Sequence, residues 1–128
     1  MAYIIGCLMA SLSFLLNKFL LRVIGNQVVI SYSPILEELA KTLCSYYFGA
    51  DIWLTHIIFG FLEACYDWFN TSSGKRGRWA ALLSIVGHTL FGGLTMVIFF
   101  LNGSIWTGIF IAVCVHLIWN VTLIRFCA

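Results

Sequence analysis

Glu37 and Glu38 stand side by side in the stretch SPILEELAK, with Lys41 one helical turn further on; Glu63, Asp67, His88, His116 and Asn120 follow along the chain. Carboxylates and imidazoles together form the equipment for activating water: one group takes the proton, and a neighbouring donor steadies the developing negative charge. On this reading Glu37, Glu38, His88 and His116 are the catalytic candidates. Lys41 reads as the partner of a carboxylate, Asp67 as a supporting residue, and Asn120 as a group that orients His116 or donates to an oxyanion. The same residue types can hold a divalent metal such as Zn2+, with Glu63, His88 and His116 as ligands and one position left for water; otherwise no cofactor is implied. There is no HExxH and no GxSxG, so the helical zinc motif and the serine nucleophile elbow are both absent.

The surroundings of these residues are those of a membrane. Of 128 residues, 62% are hydrophobic and only 9% charged, too few polar groups to cover a soluble domain. The length fits one domain, 1–128. A net charge of +2, dispersed or held in one short loop, argues against a nucleic-acid partner. The run MAYIIGCLMASLSFLL lacks a basic start, and Lys18 and Arg22 follow it, so it reads as a retained first span and not as a cleaved signal. Five widely spaced cysteines without a CxxC pair read as buried free thiols.

Long apolar runs predict an all-α integral membrane protein, a bundle of five transmembrane helices near 2–24, 34–50, 52–70, 79–101 and 104–127. Ser33 is placed to cap the second helix, with Pro34 at its first position; Gly49 is placed to end it, and Asp51 to cap the third. NTSSGKRGR, 70–78, is the only basic polar linker. Its Lys75, Arg76 and Arg78 put that loop in the cytoplasm, and alternation then gives N-terminus out and C-terminus in, with Arg22 and Arg125 at inner ends and Asp51 outside.

Depth counts sharpen the site. From Ser33, Glu37 and Glu38 lie about 6–8 Å inward and Lys41 about 12 Å. From Asn70, Asp67 is about 5 Å deep and Glu63 about 10 Å; His88 lies about 14 Å inward of Trp79, and His116 and Asn120 about 14 and 8 Å inward of Arg125. Four helices thus carry polar groups into one layer of the inner leaflet, where each would cost about 3 kcal/mol unless it met a partner. His56 falls about 20 Å from the inner side and stands outside this layer, as a hydrogen-bonded or interfacial histidine. Gly60, Gly87, Gly92 and Gly93 allow close helix approach around the layer. The tryptophans, Trp119 included, read as interface belt and lipid-facing packing.

PILEELAK resembles the EExxK signature of the PrsW family, membrane proteases related to the CAAX-protease and bacteriocin-processing group. In that pattern a helix with a glutamate, another with a histidine and a last one with a histidine and asparagine follow. Here GFLEACYD supplies Glu63, GHTLFGG supplies His88, and HLIWN supplies His116 and Asn120, in the same order. The resemblance covers about residues 33–120. Ala64 stands where such chains usually have Asn, and the chain is shorter than is general there. What the resemblance implies is peptide-bond hydrolysis in or near the membrane, on a membrane-protein, lipidated or peptide substrate; the CAAX-type relatives imply glutamate-activated water.

Two other readings use the same residues. A proton- or metal-coupled carrier or channel would use the polar layer as an ion site, and five helices would need a homo-oligomer to enclose a path; no inverted repeat is visible to support it. In a small membrane partner protein, the polar groups would serve only to hold helices together.

Overall fold

The computed structural model describes residues 1–25, 31–70 and 74–127. Among these it is all-α: α1 Ala2–Val23, α2 Ser33–Tyr47, α3 Ile52–Asn70, α4 Gly74–Asn102 and α5 Ile105–Cys127. α1, α4 (from Gly77) and α5 (to Leu123) are long and apolar enough to cross a membrane. At about 1.5 Å per residue, the 15 residues of α2 reach only about 22 Å, short of a ~30 Å hydrocarbon core.

α2 is built inside out. Its buried residues include Ser33, Glu37, Glu38, Lys41, Thr42 and Ser45, on one face at helical spacing, while Ile35, Leu36, Tyr46 and Tyr47 are exposed. A helix in water buries the opposite stripe. Here the polar face turns to the bundle interior and the apolar face to the surroundings, as an apolar solvent requires. α2 sits against α1, α3 and α5, and α3 packs along α4. An apolar cluster of Ile52, Ile105 and Ile109, with Leu39, Leu43 and Phe99 against it, closes the bundle near the α2–α3 and α4–α5 turns.

Those turns follow the expected chemistry. Gly49 and Gly103 take φ of 62° and 71°, values that favour glycine, and Asp51 accepts the Leu54 amide at 2.8 Å to cap α3. Two helix starts differ from expectation. Ser33 is already inside α2, Tyr32 holds the cap position, and the Ser33 hydroxyl bonds the Glu37 carboxylate instead. α4 begins at Gly74, five residues before the expected 79, because lysine and arginine are good helix formers and carry the helix beyond its apolar window. Residues 71–73 of the expected linker and the side chains of Lys75, Arg76 and Arg125 lie outside the described residues. Cys44, Cys65 and Cys114 are free and half-buried, but Cys7 is exposed on the outer face of α1 and not buried as expected.

Candidate functional site

α3 and α4 come together through a reciprocal pairing of glycine and histidine. A Cβ on Gly60 would sit 2.8 Å from Cβ of His88, and one on Gly92 would sit 2.7 Å from Cβ of His56. Each glycine therefore makes room for the other helix's imidazole, and both rings turn toward α2. There His56 meets Glu38 and His88 meets Lys41, two side chains with no exposed surface.

Glu38 holds three nitrogen partners from three helices. Oε1 accepts from Lys41 Nζ at 2.8 Å and from His116 Nδ1 at 3.0 Å; Oε2 accepts from His56 Nε2 at 3.0 Å. Lys41, equally buried, also donates to His88 Nδ1 at 3.0 Å and lies 4.2 Å above the Phe59 ring centre. Because Nδ1 of His88 accepts, its Nε2–H donates to Glu63 Oε2 at 2.6 Å, where the Ser84 hydroxyl donates too, also at 2.6 Å.

These contacts fix the ring protons. His116 spends its Nδ1–H on Glu38, which leaves Nε2 as the nitrogen not engaged by that carboxylate. His56 faces an acceptor on each side, Glu38 at Nε2 and the Ile52 carbonyl at Nδ1 (2.8 Å), so the His56–Glu38 pair together is neutral. Lys41 is then balanced by Glu63 through His88. Glu37, the remaining anion here, accepts from Ser13, Ser33 and Asn17 at 2.8, 2.5 and 3.3 Å. Every buried charge has a counter-charge or several donors, which lets such a layer exist away from water.

A cavity of about 260 Å³ opens beside the cluster. Glu63, Asp67, Ser84, His88, His116 and Asn120 line one side, and Leu83, Phe91 and Trp119 contribute to an apolar wall. Phe91 stacks on His116 with ring centres 4.4 Å apart. The structure therefore gathers the expected residues unevenly. Glu63, Asp67, His88, His116 and Asn120 line the cavity; Glu38 and Lys41 lie behind it; Glu37 faces α1, yet offers a carboxylate oxygen within 4.8 Å of ring nitrogens of His88 and His116.

His56, set outside the site by its depth, bonds Glu38 directly. The signal for it was present: it shares a helical stripe with Gly60 and Glu63. Trp119, expected at the lipid face or in a belt, is a wall of the cavity, and nothing in the sequence but its place within HLIWN marks it.

Glu37, His88 and His116 form the set among the described residues that could hold a metal, with Glu63 engaged by His88 and Ser84. His116 suits that role: Nε2 is not engaged by Glu38 and Nδ1–H is anchored on that carboxylate, the usual support of a ligating histidine. His88 does not. The Lys41 ammonium takes its Nδ1 lone pair, and Nε2 carries the proton given to Glu63. The donor set therefore fits a metal only in part. Comparisons with family models, with curated proteins and with solved structures find no match for the chain.

Proposed function

We propose that the protein is a membrane-embedded endopeptidase in which His116, held by Glu38, activates water without a metal. Supporting this reading is one observation above the others: an imidazole whose Nδ1 is held by a wholly buried carboxylate, leaving Nε2 to face a water, on the wall of a cavity large enough for that water and part of a peptide. The order of the Glu-Glu, Glu, His and His-Asn pieces, which resembles the PrsW pattern, supplies the choice of peptide-bond hydrolysis.

In this mechanism His116 Nε2 removes a proton as the water oxygen attacks the scissile carbonyl carbon. The amide of Asn120, one turn along α5, donates to the oxyanion. On collapse the C–N bond breaks and His116 returns its proton to the leaving amine. Glu38 is a positioning residue: both oxygens are occupied and no surface is exposed, so the water is handled on its behalf by His116. His88, with Glu63 and Ser84, forms the polar side on which the peptide lies, and Glu37 adds negative potential close to both rings. This reading keeps five crossings, N-terminus out and C-terminus in, with the cavity open to the inner leaflet; α2, about 22 Å long, completes its crossing only with the turns at its ends.

The test is cleavage of a quenched fluorescent peptide library, and of membrane-anchored peptides, by protein in liposomes. His116→Ala and Asn120→Ala should each lose activity by about 100-fold or more, the scale of a general base or an oxyanion donor. Full activity in His116→Ala refutes the reading.

A second reading draws on the unbroken hydrogen-bonded chain His56–Glu38–Lys41–His88–Glu63, which could carry protons for a coupled carrier. Proton flux into liposomes that is lost in Lys41→Met, with no cleavage by any form, selects it.

A further inference from the structure

On the face of the α3–α4 pair away from the carboxylate cavity lies a second hollow of about 380 Å³. Its floor is made of the small buried residues Ala64 and Ala81, and Phe61, Trp68 and Leu82 stand exposed around it as walls. The helices run antiparallel here, so Trp68 and Arg78 share one end while Phe61 and Ile85 share the other. From Arg78 to Ile85 the slot is about 10 Å long. Every residue lining it is uncharged except Arg78, which is exposed at the mouth.

We infer that this slot binds one acyl chain of an anionic phospholipid, with its phosphate at Arg78. The shape selects the occupant. A helix is about 10–12 Å across with its side chains, too broad to reach a floor fenced by standing aromatics, whereas a single methylene chain fits between them. The lining selects an apolar body with one negative end. A guanidinium meets phosphate with two parallel N–H donors. Arg78 also follows Lys75 and Arg76 in the sequence, and such a basic cluster favours lipids of net negative charge over zwitterionic ones. Trp68 at the same end is a residue type that settles at headgroup level. Glu63 and Asp67 project from α3 to the other cavity, so the inference does not depend on the proposed hydrolysis.

The experiment is native mass spectrometry of protein released from micelles doped with equal amounts of phosphatidylglycerol and phosphatidylcholine, with far-UV circular dichroism to establish folding of each variant. Wild type should retain one phosphatidylglycerol in preference to phosphatidylcholine. Arg78→Gln should lower that preference about fivefold, the scale of one basic residue at an anionic surface. Ala81→Leu fills the floor and should release both lipids while the fold persists; Ala64→Leu serves in its place where Ala81→Leu fails to fold. Equal retention of both lipids by wild type overturns the inference, as does unchanged lipid retention in the folded filled variant. A lipid-free dimer, cross-linked through Cys65, overturns it in favour of a second copy of the chain.

Discussion

Lys41 and Glu38 offer the sharpest test of the buried layer, through a double-mutant cycle. Both side chains have no exposed surface, and Nζ lies 2.8 Å from Oε1. In Lys41→Met the volume is roughly kept, but Glu38 loses one of three donors and the charge that balances Glu63 disappears. Removing one partner of a buried pair costs about 3–5 kcal/mol, because the remaining charge stays uncompensated. Glu38→Gln should cost a similar amount, since it strands the ammonium and turns an amide N–H toward rings that also donate. In Glu38→Gln/Lys41→Met both charges leave together, so the double variant should lie well short of the sum, with a coupling energy of about 2–3 kcal/mol. Unfolding by sodium dodecyl sulfate in mixed micelles, followed by circular dichroism, gives the four free energies. Additivity within about 0.5 kcal/mol would show that the two groups do not meet, and the layer as described would fail.

Four further outcomes can be checked. Gly92→Ala should destabilise by about 1–3 kcal/mol through overpacking, its Cβ 2.7 Å from that of His56, whereas the neighbouring Gly93→Ala, with Trp53 Nε1 no nearer than 3.5 Å, should be tolerated; equal midpoints in thermal melts would contradict the α3–α4 seam. Thr42 buries a hydroxyl without a partner, so Thr42→Val should be neutral or stabilising by about 1 kcal/mol, and a loss of that size would mean the hydroxyl is bonded after all. A chelator should leave peptide cleavage unchanged, and inactivation that added zinc reverses would restore the metal-bound version with Glu37, His88 and His116. Reporter fusions at the C-terminus and beside Asp51 should report opposite sides of the membrane; the same side for both would reverse the orientation argument.

What the sequence makes legible here follows from what membranes punish. Charged residues are so few that each one stands out, and helical phase groups Glu63 with Asp67 and His116 with Asn120 on the faces that line the cavity. Turn chemistry is local, so Gly49 and Asp51 could be read directly. His56 escapes a depth count from the inner side for a geometric reason: α2 has 15 residues and α3 has 19, so their inner ends do not share one plane. From the inner ends, Glu38 and His56 are at about 8 and 20 Å, irreconcilable depths; from the hairpin that joins the helices they are at about 16 and 8 Å, a gap two long side chains and a hydrogen bond can span. The division of labour between Glu37 and Glu38 was equally hidden. Adjacent residues on a helix point about 100° apart, so one glutamate turns to Ser13 and Asn17 of α1 while the other faces His56, Lys41 and His116. Which does which depends on where α1 and α5 pack around α2, and that is a property of the assembled bundle alone.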